Sequence, residues 1–374
     1  MSIDTLVDVE PDPQGHALRL RWASGRQDRV PAIWLRDNCH CPVCQDAGSG
    51  QRLIDITQLS PYTAIEQCRV DASGITLWFG PEPHESRFDS AWLQRLAAGE
   101  IPSPTGDRWD AGLDPALRTD TYPALRQDSN RLKRWLGWVR DDGFACLTQV
   151  PAKDGALLEL VALFGHARET NYGRYFDVKA VADPINLAYT GLGLPVHTDN
   201  PYRDPVPGLQ ILHCLHSDTE GGDSVLCDGF AVADWMRTDQ PDAFDLLSRT
   251  PVPFRFRDAT TDLRHRAPLI ELDAEGQLSI VRYNNRSVDT AAMAMDGLGR
   301  FYEAYRLFAA ALQDPRWQIQ FKMGPGDLFI VDNRRVLHGR TAYRGTGRRH
   351  LQGGYADLDG LYSRLRILEQ SGQP

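Results

Sequence analysis

Between Gly143 and Val331 the apolar residues fall into short runs separated by turn-rich joins. They are Gly143–Leu147, Gly208–Cys214, Ser224–Cys227, Pro253–Phe256, Leu278–Tyr283 and Asp327–Val331. Runs of this length with turn-rich joins are strands. A parallel sheet needs a crossover, usually a helix, between successive strands, and few are on offer: Ser129–Arg140, with Leu132, Trp135, Leu136 and Val139 on one face, then Ala231–Trp235 and Phe301–Leu312. The expected fold is therefore mainly β with flanking helices, a jelly roll rather than a doubly wound sheet.

A second β region precedes it, with strand-like runs at Ala17–Trp22 and Gly74–Phe79. From about Gly99 to Tyr122 the chain turns to Pro, Gly, Asp and Thr with no sustained period, the texture of a connection. This divides the chain into an N-terminal domain at 1–95, a linker at 96–123 and a larger domain at 124–374. No repeat of fixed period is present. A formal charge of -9 argues against nucleic acid as a partner. The N-terminal residues lack the pattern of a signal peptide and no apolar run reaches membrane-spanning length, so a cytoplasmic protein acting on a small molecule is expected.

Three of the seven cysteines crowd into Cys39, Cys41 and Cys44. Such crowding reads as metal binding rather than disulfide bonding. With His84, a domain's length further on, they make a closed tetrahedral zinc set, and a closed set is structural. His40 is the rival fourth ligand, but between two ligating neighbours it would be strained to reach the same ion.

Two histidines and a carboxylate on one face of a metal leave three positions open, as a non-haem iron centre needs for a 2-oxoacid and dioxygen. The His-x-Asp sign of such a centre is weak here: ten histidines and fifty acidic residues in 374 give about one chance match. Two occur, His197-Thr198-Asp199 and His216-Ser217-Asp218. The second runs into the turn Thr219–Gly222, whereas His197 closes a strand, so the first pair carries more weight. The distal histidine is His338, delivered by a strand, a turn and a second short strand. Arg349 suits the far carboxylate of a 2-oxoacid, with Arg348 as its rival. A zinc hydrolase and a non-catalytic betaine-binding sandwich are the competing readings.

The segments Asn186–Thr190, His197–Asp199, Gly208–Cys214, Gly221–Ser224, Asp332-Asn333 with Leu337–Arg340, and Arg349–Leu351 with Gly354-Tyr355 resemble the γ-butyrobetaine and trimethyllysine dioxygenase family. The cysteine and histidine set resembles that family's N-terminal zinc site, and the likeness covers nearly the whole chain. It implies a distorted double-stranded β-helix and iron(II) held by His197, Asp199 and His338. Arg349 would anchor 2-oxoglutarate, with Leu212 and Ser224 lining its pocket. Dioxygen is the other cosubstrate and zinc a structural ion. The resemblance also implies a homodimer and an aromatic cage for a trimethylammonium group at Tyr172, Phe176, Tyr189 and Tyr355. Quaternary cations cannot hydrogen-bond and are held by ring quadrupoles.

At the other end of the substrate, Asn200 and Tyr202 follow the iron motif, Asn284-Asn285-Arg286-Ser287 sets a cation beside two amides, and Asn186 is a further contact. An arginine and an added amide suit a phosphonate, with its three oxygens, so Asn200, Asn285 and Arg286 resemble the related 2-(trimethylammonio)ethylphosphonate dioxygenases. The sequence ranks that phosphonate first, hydroxylated at the carbon next to phosphorus. γ-Butyrobetaine is second and trimethyllysine third, since nothing awaits its α-amino group.

Overall fold

The computed structural model describes residues 5–71, 74–97, 106–179, 192–344 and 348–370. Two compact units divide the chain, Met1–Ser103 and Pro104–Pro374.

In the first unit, β1 (Leu6–Pro11), β2 (Ala17–Trp22) and β3 (Gln27–Pro31) form one antiparallel sheet, followed by helix α1 (Ala32–Asp37). A second antiparallel sheet joins β4 (Ala64–Asp71), β5 (Gly74–Gly80) and β6 (His84–Asp89), and helix α2 (Ser90–Ala97) follows. The alternating apolar positions of β2, Leu18, Leu20 and Trp22, meet Ile75, Leu77 and Phe79 of β5 in one core. Inward and outward residues alternate as the pleat requires.

The second unit starts earlier than residue 124. Strand β7 (Thr119–Thr121) lies within the stretch expected to be a linker and already pairs in parallel with β8 (Phe144–Thr148). A three-residue edge strand is too short to show a period, so its turn-rich surroundings dominate the sequence signal. Between β7 and β8 lie α3 (Tyr122–Gln127) and α4 (Ser129–Asp142). Asp128 caps α4 by accepting from the Asn130 and Arg131 amides, and Gly143, at φ +79°, ends it in the left-handed conformation that glycine adopts without a Cβ penalty.

The chain continues through α5 (Ala156–Val161), β9 (Phe176–Lys179), β10 (Leu194–His197), β11 (Leu209–Ser217), β12 (Glu220–Gly221) and β13 (Ser224–Asp228). Helices α6 (Gly229–Asp239) and α7 (Pro241–Arg249) and hairpins β14 (Val252–Arg257) with β15 (Asp262–Ala267) and β16 (Ile270–Leu272) with β17 (Leu278–Val281) come next. Last are α8 (Leu298–Gln313), β18 (Gln318–Phe321), β19 (Leu328–Asp332), β20 (Val336–Arg340), β21 (Tyr343–Arg344), β22 (Arg349–Ala356) and α9 (Leu358–Gln370).

Two sheets form the jelly roll, one in the order β7-β8-β19-β11-β22-β9 and the other β10-β20-β13-β18. Their inward side chains, among them Phe144, Phe329, Cys214, Leu351, Leu226 and Ile319, share one core. The outward residues of the larger sheet, such as Ala145, Ile211 and Ile330, pack under α4, α5 and α9. Those of the smaller sheet, Val225, Cys227 and Leu337, pack under α6, α7 and α8. Because both outer faces are covered by helices, the strands read as continuous apolar runs. A polar residue on an inward row is then conspicuous.

Candidate active site

The N-terminal cluster assembles in the first unit. The loop after α1 supplies Cys39, Cys41 and Cys44, and the start of β6 supplies His84, whose Nε2 lies 3.2, 3.7 and 3.5 Å from the three sulfurs. Zinc bonds of about 2.3 Å to sulfur and 2.0–2.1 Å to nitrogen, at the tetrahedral angle, separate the two ligand atoms by about 3.5 Å. The residues therefore fit a structural zinc ion. Burial, then the Arg36 charge, holds His84 below its usual pKa and so neutral, as a ligand must be. The Arg36 guanidinium donates to Cys44 Sγ at 3.2 Å. His40 turns away from the cluster and packs edge-on against Trp92, 5.0 Å between ring centres.

In the second unit, β10 ends on His197 and β20 carries His338, and the register sets these two residues opposite each other. Their Nε2 atoms lie 3.5 and 3.9 Å from Asp199 Oδ1. His197 Nδ1 is 2.9 Å from the Pro195 carbonyl, where it donates, leaving Nε2 with its lone pair toward the shared point. Burial, then His197, pushes His338 down to about 3, so it is neutral. Burial would raise Asp199, but the adjacent His197 and His338 rings and the hydrogen bond from Tyr355 outweigh it and keep the carboxylate ionised. Two imidazoles and one carboxylate, converging from one side, suit iron(II). The rival pair, His216 and Asp218, is exposed and its members bind each other.

Asp199 is held from several directions. Its Oδ2 accepts from Gln210 Nε2 of β11 and, at 2.8 Å, from the Tyr355 hydroxyl of β22. Its backbone N–H donates to Asn333 Oδ1 at 2.7 Å, and Asn333 Nδ2 donates back to the Asp199 carbonyl and to the Pro207 carbonyl, both at 3.0 Å. Gln210 and Asn333 both lay within motifs noticed in the sequence, but the sequence assigned them no role. A glutamine among the apolar residues that open β11 was the available signal.

Further along the inward rows lies a cationic pocket. Arg349 on β22 is 9% exposed and Arg340 on β20 7%. Ser224 of β13 stands opposite Arg340 in the register, and Leu212 faces inward from β11. Burial first, then the neighbouring Arg340, bring Arg349 down to about 10. Arg348 is exposed, and its carbonyl accepts from the Asp218 amide.

The aromatic residues form a connected row. Tyr355 is 5.5 Å from Phe176, Phe176 is 5.7 Å from Tyr172, Tyr172 is 5.8 Å from Phe256 and Phe256 is 5.2 Å from Tyr202, all between ring centres. The hydroxyls of Tyr172 and Tyr202 lie 3.1 Å apart, and Tyr202 donates to Asn200 Oδ1 at 2.5 Å. Phe256, on the β14–β15 hairpin, was not foreseen. Asn186 and Tyr189 lie outside the described residues.

Residues 284–286 resolve by side. Asn284 is buried and donates to the Thr198 carbonyl at 3.2 Å, next to the iron ligands. Arg286 keeps part of its surface in solvent while the protein encloses the rest, and among the described residues it has no hydrogen bond or ion pair. Desolvation lowers its pKa against the opposing charges of Asp199 and Tyr202, which places it electrostatically at the site. Asn285, expected to contact the substrate, instead lines an outward hollow of about 430 Å³ with Tyr283, Tyr302 and Tyr305. An extended run does not reveal which alternate residues face inward, so the sequence alone did not separate the two adjacent asparagines.

The model of the taurine catabolism dioxygenase TauD, TfdA family matches residues 109–355, and that of the γ-butyrobetaine hydroxylase-like N-terminal domain matches residues 9–94. The γ-butyrobetaine dioxygenase of Pseudomonas sp. (strain AK-1) is 37% identical, covering 93% of each chain. That of Homo sapiens is 33% identical, covering 98% of each. The mitochondrial trimethyllysine dioxygenase of Rattus norvegicus is 30% identical over 94% of this chain and 85% of its own.

Proposed function

The chain belongs to the TauD/TfdA dioxygenase family, in the branch with a γ-butyrobetaine hydroxylase-like N-terminal domain, and from that premise we propose that it hydroxylates γ-butyrobetaine. As a member it is an iron(II)- and 2-oxoglutarate-dependent dioxygenase, which sets aside the zinc hydrolase and the non-catalytic binding protein. The observation that carries the proposal is the pairing of opposite recognition chemistries at one metal site. An aromatic row reaches Asp199 through the Tyr355 hydroxyl, and the Arg286 cation acts on the same aspartate. Rings hold a quaternary ammonium and a guanidinium holds an acid. The two γ-butyrobetaine dioxygenases, similar over nearly their full lengths, support a carboxylate as that acid. This reverses the order in which the sequence alone ranked carboxylate and phosphonate.

Iron, 2-oxoglutarate and dioxygen together supply the oxidising chemistry. The protein's own part is position. His197, Asp199 and His338 would hold the metal, Gln210, Asn333 and Tyr355 fix the aspartate, and Arg349 would bind the cosubstrate's free carboxylate. The rings and Arg286 then present one C–H bond to the centre, and such orientation is a large share of catalysis.

2-(Trimethylammonio)ethylphosphonate is the second reading. It is favoured by donor supply: besides Arg286, the buried Asn200 Nδ2 has no partner among the described residues, and a phosphonate has one more oxygen to fill than a carboxylate. The deciding experiment measures succinate formation with each betaine, for wild type and Arg286→Ala. The expected result is faster turnover of γ-butyrobetaine, with its KM raised about 10- to 100-fold in the variant. Faster turnover of the phosphonate would promote the second reading, and no succinate above background with either would overturn both. A homodimer and a cytoplasmic location are part of the same proposal. Sedimentation of the full chain tests the first. Among the described residues no helix is long and apolar enough to cross a membrane.

A further inference from the structure

His338 and Arg340 are two residues apart on β20, so their side chains leave the same face of the strand. That face is the inside of the jelly roll. The two positions are separated by roughly 7 Å along the strand, about the reach of a short dicarboxylate from a chelated end to its free carboxylate. Ser224 faces Arg340 across the pairing with β13. The ring of Tyr343 lies under both guanidinium groups, 4.9 Å from that of Arg340 and 5.7 Å from that of Arg349.

Two buried guanidinium groups on one ring repel each other, and the charge of Arg340 is among the causes that lower Arg349. Asp223 acts on Arg349 as well, but its carboxylate is engaged by Gln320 at 2.8 Å and Lys322 at 3.6 Å. Arg340 donates to the Leu192 carbonyl at 2.8 Å. An anion between the two arginines relieves that repulsion and accepts from both guanidinium groups.

We propose that Arg340 is a second anchor for the free carboxylate of 2-oxoglutarate, acting with Arg349 and set at the correct distance from the metal by its place on the His338 strand. The inference rests on the cosubstrate of the family, not on the identity of the betaine. It can therefore be tested with no betaine present.

The test is an anaerobic titration of the iron-loaded full chain, following the visible charge-transfer band that a chelated 2-oxoacid gives. Two titrants are compared: 2-oxoglutarate, and 2-oxobutyrate, which keeps the chelating end and lacks the second carboxylate. Arg340→Met is expected to weaken 2-oxoglutarate about 10- to 100-fold and to leave 2-oxobutyrate within about twofold, the scatter expected when no contact is lost. Equal weakening of both titrants would make Arg340 a merely structural residue and overturn the proposal, as would unchanged 2-oxoglutarate binding. Should Arg340→Met not fold, Arg340→Lys keeps the charge and loses the fork. It is expected to weaken 2-oxoglutarate roughly three- to tenfold with 2-oxobutyrate unchanged, and unchanged binding of 2-oxoglutarate would again refute the inference.

Discussion

Asn333 has no ionisable group and touches no ligand position, yet it makes three hydrogen bonds that fix the backbone on either side of the iron carboxylate. At 1% exposure no water can replace them once they are lost. Asn333→Ala is therefore expected to lower iron(II) affinity about 10- to 100-fold, the usual effect of removing a group that orients a metal ligand. A metal titration of the variant against wild type checks this, and an unchanged affinity would reduce Asn333 to a folding role. The iron ligands themselves were legible as residue types, because donor chemistry narrows the choice to histidines and acids. Asn284 was not, since it differs from Asn285 only in which way an extended run faces. Phe256 was not either: the hairpin that brings it to Tyr172 and Tyr202 is remote in sequence from both, and only the fold makes that contact.

Strand β9 carries Phe176 at the edge of the larger sheet, and an edge strand has one ladder to hold it instead of two. A polar clasp compensates. Asp177 accepts from His350 at 2.7 Å and from Gln352 at 3.1 Å, Gln352 also donates to Asp154 at 2.6 Å, and Tyr175 donates to Asp154 at 2.6 Å. Across the same pair, Gly353 must be glycine, for a Cβ there would meet the Phe176 ring at 2.5 Å. Burial would raise Asp177, but the bonds from His350, Gln352 and Lys179 bring it down to about 2. A depressed carboxylate stabilises the fold above its unfolded pKa, near 3.9, and that contribution disappears as pH falls toward the folded value. The clasp is thus expected to be intact above about pH 4 and to weaken between about pH 4 and 2. Acid unfolding followed by Tyr fluorescence tests this: Asp177→Asn should unfold less steeply over that window, and the same steepness would exclude Asp177 as a contributor. The central strands were readable because buried β-runs are apolar throughout. β9 was not, because its four residues are half polar and the partners that fix it are far away in sequence.

At the scale of the whole chain, the two units have different sources of stability. The second has three packed clusters in and around its jelly roll. The first has, among the described residues, one core of eleven buried residues, the regime in which a metal ion commonly supplements packing. Cysteine crowding made the ion site legible, and the aromatic packing of His40 explains why the adjacent histidine is not its fourth ligand. Because zinc binds the folded loop far better than the unfolded one, its removal lowers the stability of the unit that contains it. That unit still has its own core, so the loss should be partial. Cys44→Ser in the full chain is expected to reduce bound zinc and to lower a calorimetric transition of the first unit by about 5–10 °C, from roughly 1–2 kcal/mol lost in a domain of this size. The iron affinity of the second unit should be unchanged, because its ligands and their supports all come from residues 197–355. A variant that keeps its zinc would remove Cys44 from the site, and one that loses zinc with no shift in either transition would show that the ion does not stabilise the unit.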